Sequence, residues 1–386
     1  MPAKIMVVDD EPDLELLISQ KYRKKIKENE IHFVFAGDGV DALEKLKKND
    51  GMDIVLTDIN MPKMDGLTLL TKLNENYPLL KSVIVSAYGD MSNIRTALNR
   101  GAFDFVTKPI DFQDLEITIN KAVQEAQMLQ QAMKDRDQLV TLQKELDVAR
   151  TIQETIVPRT FPPFPDRKEF EILAKMITAK EVGGDLYDFF MVDEDHFGFV
   201  IGDVSGKGVP AALFMAVSRT LLKATALKGL PPNECFQQVN RLLYLESVPS
   251  MFVTMFYGIL NTKAGELEYC NGGHNPAFLV RKDGNVEPLE VKGGLILGAM
   301  EDFDYQSNNV KLNKGDSLFL YTDGVTEAMN PKNEEFEEKR LKSCLSKLNT
   351  TPLEGMIDSV IKEVFQFADG APQADDITAM AVRYLG

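Results

Sequence analysis

Residues 53–66 read DIVLTDINMPKMDG. The run Ile54–Thr57 is β-branched and apolar, has the length of a short strand and stops at an acid, Asp58. Pro62 and Gly66 then punctuate the chain. Four similar runs surround it: KIMVVD (4–9), IHFVFA (31–36), KSVIVS (81–86) and AFDFVT (102–107). Amphipathic stretches such as 14–28 and 41–48 lie between them. Five alternating β-α pairs predict a parallel sheet with helices on both faces. The near-continuous apolar runs suit strands covered on both sides.

In such a sheet, ligands bind at the carboxyl ends of the strands. The residues there are Asp9, Asp10 and Glu11 after the first run, Asp58 after the third, Ser86 after the fourth, and Lys108 with Pro109 after the fifth. Clustered carboxylates repel unless a cation joins them, and oxygen ligands with room for water suit Mg²⁺. A metal beside one carboxylate would let it attack a phosphoryl donor, with Lys108 pairing the product. Taken singly, a strand-end Asp is usually a turn former or helix cap. Together on one sheet edge these residues point to phosphoryl chemistry.

The motifs VVDDEPD (7–13), DIVLTDINMPKMDG, VSAYGD (85–90) and FVTKP (105–109) resemble the receiver domain of two-component response regulators, over residues 1 to about 125. The resemblance implies a flavodoxin-like fold with Asp58 as phospho-acceptor. It implies Mg²⁺ on Asp10, Asp58 and the Asn60 carbonyl, with Asp9 supporting it through water. Ser86 and Lys108 would contact the phosphoryl group. Phe105 stands where the family carries an aromatic that swings inward on activation. The donor would be a sensor histidine kinase or a phosphotransfer protein.

From about 111 to 157 the chain lacks glycine and is rich in Gln, Glu, Lys, Leu and Ala, which predicts helix. One apolar seam runs through Ile119, Ala122, Ala126, Leu129 and Met133. A second runs through Leu139, Leu142, Leu146, Ala149 and Ile156, interrupted by Gln153. The seams are out of register, with the break at Lys134–Asp137, a place where a helix can bend or rewind. About 45 residues of helix span about 67 Å, and the expected reading is a coiled coil joining two chains as a homodimer. Four prolines between Pro158 and Pro165 end this segment. The expected domains are therefore 1–122, a coiled-coil linker at 123–158, and 159–386.

The last of these mixes β-rich runs with helical patterns near 210–228, 231–246, 334–348 and 353–367, an α+β arrangement with antiparallel sheets. One stretch, GDVSGKG (202–208), invites a phosphate-loop reading. Only three residues separate its first two glycines, and Gly208 rather than Ser or Thr follows Lys207, so the nucleotide reading fails. Instead, acids recur beside glycines: VGGDLYD with Asp185 and Asp188, IGDVSGKG with Asp203, YTDG with Asp323, and ADDITAM with Asp375 and Asp376. Glycines let the chain turn so that carboxylates point at a shared centre. Oxygen ligands select Mg²⁺ or Mn²⁺, and a chain with three His residues is poorly equipped for zinc. Two such metals can activate a water for in-line attack on phosphorus. An isolated Asp-Gly pair is usually only a turn.

Together these motifs, with GGHNPAFL (272–279) and the approach helix ARTIQETIVP (149–158), resemble the metal-dependent protein phosphatase superfamily, the PPM or PP2C-like type, in its bacterial sporulation and stress-response branch. The resemblance covers about 165–386. It implies a β-sandwich flanked by helix pairs, with two Mn²⁺ or Mg²⁺ at its edge. Asp185 and Asp203 would bridge the metals, Val204 would offer its carbonyl, and Asp323 and Asp375 would hold one ion. Asp376 is adjacent, and Asp188 would support the acids from behind. The Arg and His of eukaryotic-type relatives are absent from these motifs, which leaves Lys180 and Lys207 as candidates to grip phosphate. His274 is expected to cap its own turn.

The implied activity is hydrolysis of a phosphoserine or phosphothreonine protein under control of Asp58 phosphorylation. In the family the substrate is an anti-sigma-factor antagonist of a partner-switching pathway. The alternative is a non-catalytic adaptor, which the full acid set disfavours. The net charge of −16 and the absence of a basic stripe exclude a nucleic-acid partner. The amino terminus lacks the apolar core of a signal peptide, and no run has bilayer-spanning length, so a cytoplasmic protein without membrane contact is expected. Three scattered cysteines form neither a zinc motif nor a disulfide framework.

Overall fold

The computed structural model describes residues 2–49, 51–87, 90–246 and 251–386, so Tyr88 and Gly89 of the VSAYGD motif lie outside the described residues. The chain divides into two compact units, Met1–Leu142 and Gln143–Gly386.

The first unit holds β1 (Ala3–Val8), α1 (Pro12–Lys21), α2 (Arg23–Lys27), β2 (Ile31–Ala36), α3 (Gly39–Lys48), β3 (Ile54–Asp58), α4 (Gly66–Asn76), β4 (Lys81–Ala87), α5 (Met91–Asn99), β5 (Asp104–Lys108) and the start of α6 (Phe112–Ile156). The five strands are parallel in the order β2-β1-β3-β4-β5, the flavodoxin-like arrangement. Alternate residues face opposite layers. Ile5, Val7, Leu56 and Val83 pack toward α1 and α6, whereas Met6, Val8 and Val55 meet α3 and α4. Helix starts follow local chemistry. Asp38 caps α3 by accepting the Val40 and Asp41 N–H groups, and Asp65 caps α4 by accepting that of Thr68. Gly66 lies so close to the Asp58 carbonyl that a Cβ would collide with it. The final Gly of the opening stretch is thus what lets α4 start beneath the end of β3.

Helix α6 runs 45 residues without interruption through Lys134–Asp137. In the first unit Leu115, Ile119, Ala122 and Ala126 are buried, and the Gln130 amide donates to Asp53 at 3.2 Å. Ile119, Ala122 and Ala126 are therefore receiver core rather than a seam free for a second chain. In the second unit Leu146 and Ala149 are half-buried, and Gln153 is only 7% exposed. Met128, Met133, Leu139, Val140, Leu142, Val148 and Ile152 are exposed along the helix.

The second unit continues with β6 (Phe170–Ile177), β7 (Leu186–Met191), β8 (His196–Val204), α7 (Val209–Ala226), α8 (Pro232–Glu246), β9 (Val253–Asn261), β10 (Glu266–Gly272), β11 (Phe278–Val280), β12 (Val286–Pro288), β13 (Asn308–Lys311), β14 (Ser317–Tyr321), α9 (Asp323–Thr326), α10 (Glu337–Leu345), α11 (Leu353–Ala368) and β15 (Ile377–Tyr384). Two antiparallel sheets, β13-β10-β9-β8-β7 and β12-β11-β14-β15-β6, stack face to face. Phe170, Phe197, Phe199, Phe256 and Met380 fill the space between them. Helices α7 and α8 cover the outer face of the first sheet through Met215, Leu222 and Phe236. Helices α10 and α11 cover the second through Leu341, Ile357 and Val360. Strands β11, β12 and β13 span only three or four residues each, too short for a period-2 pattern to mark them in the sequence. Among the described residues no helix is long and apolar enough to cross a membrane.

Candidate functional site

At the carboxyl edge of the parallel sheet, ligand oxygens of Asp9, Asp10 and Asp58 lie within 4.8 Å of one another. Lys108 reaches into this group: its Nζ is 2.7 Å from Asp58 Oδ2, 2.9 Å from Asp9 Oδ2 and 3.4 Å from Glu11 Oε1. Burial pushes the Asp9 carboxyl up, against the pull of Lys108. Burial also works against the Lys108 charge, but the hydrogen bonds it donates to Asp58 and Asp9 hold the ammonium well above its usual range. The Asn60 N–H donates to Asp58 Oδ1 at 3.3 Å, which turns the Asn60 backbone around the acceptor. Ser86 is 1% exposed, and its Oγ has no hydrogen-bond partner among the described residues. Phe105 is half-buried and packs with Ile84 and Ala97. The donor set is oxygen-only and partly solvated, which fits Mg²⁺.

In the second unit Asp185, Asp203, Asp323, Asp375 and Asp376, drawn from the four motifs, lie near enough to act on one another's charge. Asp185 stands just before β7 and is 1% exposed. Its Oδ2 accepts from Thr322 Oγ1 at 2.8 Å and from Thr378 Oγ1 at 2.5 Å. Asp203, near the end of β8, shares a hydrogen bond with Asp185. Burial, then the charges of Asp323 and Asp375, push Asp203 up to about 7. Burial, with Asp203 and Asp376 beside it, drives Asp185 well above the usual carboxylate range. Burial and Asp375 raise Asp323 as well. A cluster of buried carboxylates repelling one another in this way is what cations would relieve. The acids are spread more widely than the receiver trio, which fits a pair of ions better than one.

Asp376 is placed differently from its neighbours. Its Oδ1 accepts the Ala179 N–H and its Oδ2 the Gly184 N–H, both at 2.8 Å. It stitches the 179–184 loop to the start of β15. Close approach to Asp376 also explains the flanking glycines: a Cβ on Gly183 would strike its carboxylate, and one on Gly324 its carbonyl. A Cβ on Gly184 would sit 2.9 Å from the Val204 carbonyl and 3.4 Å from Asp203 Oδ1. These glycines serve close packing rather than sharp turns. Only Gly206 (φ 90°) and Gly208 (φ 77°), in the GDVSGKG loop, need the left-handed region.

Lys207 in that loop is 2.7 Å from Asp375 Oδ2 and donates to the Ala374 carbonyl at 2.6 Å. Lys180 is exposed on the 179–184 loop. Asp188 is fully buried and ion-paired with Arg219 at 2.7 Å and Lys223 at 3.1 Å, so it anchors α7 to β7. His274 is buried and bonds Thr254 Oγ1 at 2.9 Å, and burial lowers its pKa to about 4, so the ring is neutral. The turn is capped instead by Asn271, which accepts the His274 N–H and donates to the His274 carbonyl.

Three participants escaped the sequence reading. Thr322 and Thr378 sit in the quoted motifs YTDG and DDITAM, and their adjacency to acids is the signal that was there to use. Gln153, read as a flaw in an apolar seam, donates to the Gly183 carbonyl at 2.8 Å and accepts the Gly183 N–H at 3.1 Å. It fixes the last turns of α6 two residues from Asp185.

The family model for stage II sporulation protein E matches residues 193–385, and that for the response regulator receiver domain matches residues 5–120. The phosphoserine phosphatase RsbU of Bacillus subtilis is 30% identical over 243 residues, 63% of this chain and 70% of RsbU. Protein IcfG of Synechocystis is 32% identical over 265 residues, 62% of this chain, which spans only 41% of IcfG. The crystal structure of the RsbU and RsbW domains of Rv1364c from Mycobacterium tuberculosis superposes with a TM-score of 0.50 at 29% identity, covering 56% of this chain and 60% of that one. The chain belongs to the stage II sporulation protein E family, with a response regulator receiver domain preceding a SpoIIE/PP2C-type phosphatase domain.

Proposed function

We propose that the chain is a metal-dependent protein serine/threonine phosphatase whose rate is set by phosphorylation of Asp58. One observation supports the reading: Asp185, Asp203, Asp323 and Asp375, from four separate motifs, lie close enough for their charges to act on one another, with Asp185 buried and Asp375 at the rim beside Lys207. Two Mn²⁺ or Mg²⁺ held there would supply an acidified water and a clamp for phosphate oxygens. The rest is the work of this chain. Thr322 and Thr378 tie down one oxygen of Asp185, which leaves the other toward Asp203. Asp185, Asp203, the Val204 carbonyl, Asp323 and Asp375 would hold the ions, with Asp376 supporting them. Lys207 stands beside Asp375, where its ammonium can meet a substrate phosphate oxygen.

In the receiver, Asp10, Asp58 and the Asn60 carbonyl would hold Mg²⁺, with Asp9 supporting it through water, and Lys108 and Ser86 would receive the phosphoryl oxygens. The Ser86 hydroxyl, buried without a protein partner among the described residues, supports that role. Phe105 is the switch aromatic. A sensor histidine kinase or phosphotransfer protein supplies the phosphoryl group. The proposed domains are 1–122, 123–158 and 159–386. The exposed apolar side chains of α6, among them Leu139, Leu142 and Ile152, are covered by a second copy in a coiled-coil homodimer. The substrate is a phosphoprotein, and the family resemblance read from the motifs favours an anti-sigma-factor antagonist in the cytoplasm.

The test is release of phosphate from an aryl phosphate and from phosphoserine proteins with Mn²⁺, with and without beryllofluoride at Asp58. Turnover that changes on adding beryllofluoride is expected. No release from any of these in either state would sink the reading.

A further inference from the structure

Beside the acid cluster lies a pocket of about 150 Å³ that the chemistry above does not use. It is bounded by the segment after α9, the last turns of α11 and the 371–375 loop. Its walls are apolar: Ala328, Met329, Val364, Phe365, Ala368 and Pro372. Val364 is fully buried at the floor, while Phe365 is 44% and Met329 37% exposed. The mouth carries Lys207, Gly324 and Asp375, the residues that also border the acid cluster, together with Glu327.

The pocket is preformed. The Gln373 amide donates to both the Ile177 carbonyl at 2.8 Å and the Asp375 carbonyl at 2.7 Å, which fixes the 371–375 loop. The Phe336 N–H donates to the Ala328 carbonyl, and the Ala371 N–H to that of Ala368. A rigid apolar recess with a few charges at its rim is the usual form of a side-chain or ligand subsite. Its continuity with the acid cluster decides the occupant. A peptide whose phosphoserine enters the cluster past Lys207 must run across this mouth. An extended chain advances about 3.3 Å per residue, so a side chain within about four residues of the phosphoserine can reach it.

We propose that this pocket is a specificity subsite that receives one large apolar side chain, such as Leu, Met or Phe, flanking the phosphorylated residue of the protein substrate. The inference rests on the phosphatase reading of the acid cluster. It makes the phosphate group the object of the acids and Lys207, and the neighbouring side chain the object of α11 and the 371–375 loop. Small aryl phosphates, which cannot span both places, are blind to it.

The probe is a set of phosphoserine peptides in which a single leucine is stepped through the flanking positions of an otherwise alanine- and lysine-based sequence. The full-length protein with Mn²⁺ should favour leucine at one offset by about tenfold in kcat/KM. Ala368→Trp, which fills the pocket, should erase that preference by raising KM for the favoured peptide. Its p-nitrophenyl phosphate hydrolysis should match the wild type. Met329→Gln, which makes one wall polar without adding bulk, should weaken the preference in the same direction and stands in should the tryptophan variant misfold. Wild-type turnover of p-nitrophenyl phosphate with no preferred leucine offset overturns the subsite alone, as does a preference that survives both variants. Absence of turnover of p-nitrophenyl phosphate and of every phosphoserine peptide, both with and without beryllofluoride, overturns the phosphatase reading and the subsite with it.

Discussion

Replacing Gln153 by Met tests whether α6 holds the acid cluster through a single side chain. Methionine keeps the length and the apolar stem but abolishes both hydrogen bonds to Gly183. Each such bond contributes about 1 kcal/mol net, and leaving the buried Gly183 N–H and C=O unpaired adds a further penalty, so about 2–4 kcal/mol is expected in total. For a unit of this size that lowers Tm by about 5–15 °C. The loss falls on the 179–184 loop, which leads directly into Asp185 and is otherwise tied down by Asp376. Mn²⁺ affinity should therefore drop as well, by between about threefold and thirtyfold, the upper figure corresponding to a full ~2 kcal/mol spent on repositioning Asp185. Differential scanning calorimetry gives the first number and isothermal titration with Mn²⁺ the second. Gln153→Ala should cost a little more than Gln153→Met, because it also opens a cavity. A methionine variant within about 0.5 kcal/mol of wild type, with unchanged Mn²⁺ affinity, would refute the reasoning. It would mean that Gln153 packs rather than clamps.

Asp203→Asn should abolish Mn²⁺-dependent turnover yet raise Tm by roughly 2–5 °C in chelator, since it removes one of several buried charges that repel one another. A lowered Tm in chelator would show that the cluster is not strained in this way. For the helix, Leu139→Glu with Leu142→Glu should convert a dimer into a monomer by light scattering while leaving the circular dichroism of both units intact, because both side chains are exposed. An unchanged mass removes the coiled coil. A deletion starting at residue 112 is a poor alternative, because Leu115, Ile119, Ala122 and Ala126 belong to the receiver core.

The sequence showed the receiver almost completely. Its strands are short and β-branched, and four of the five end at or beside a proposed site residue: Asp9, Asp58, Ser86 or Lys108. Local pattern and site coincide there, as they do at Asp9, Asp58 and Lys108. The phosphatase acids were legible for a different reason: glycines stand beside them in the sequence, and some of these pack closely on an acid, as Gly183 and Gly324 do on Asp376. The partners of those acids were not legible, because they act across long separations. Thr322 and Thr378 meet Asp185 from 137 and 193 residues away, and a hydroxyl in a strand carries no local mark of that contact. Gln153 was misread because heptad spacing asks only whether a position is apolar. It does not ask whether a polar side chain has found a buried backbone to satisfy.

The two acid clusters differ in how they manage repulsion. In the receiver a single ammonium, Lys108, lies between Asp9 and Asp58 and compensates both at under 3 Å, so the trio is held together by the protein itself. In the phosphatase unit the nearby ammonium, Lys207, pairs with Asp375 at the rim. Asp185 and Asp203 are left facing each other, with burial and neighbouring acids raising both. Such an arrangement is costly without cations and firm with them. The hydroxyls of Thr322 and Thr378 keep Asp185 in place but bring no positive charge. Anything that shifts the 179–184 loop therefore acts on the part of the site least compensated by protein. Gln153 is attached to that loop, so the end of α6 meets the phosphatase unit where a small displacement has the largest electrostatic effect.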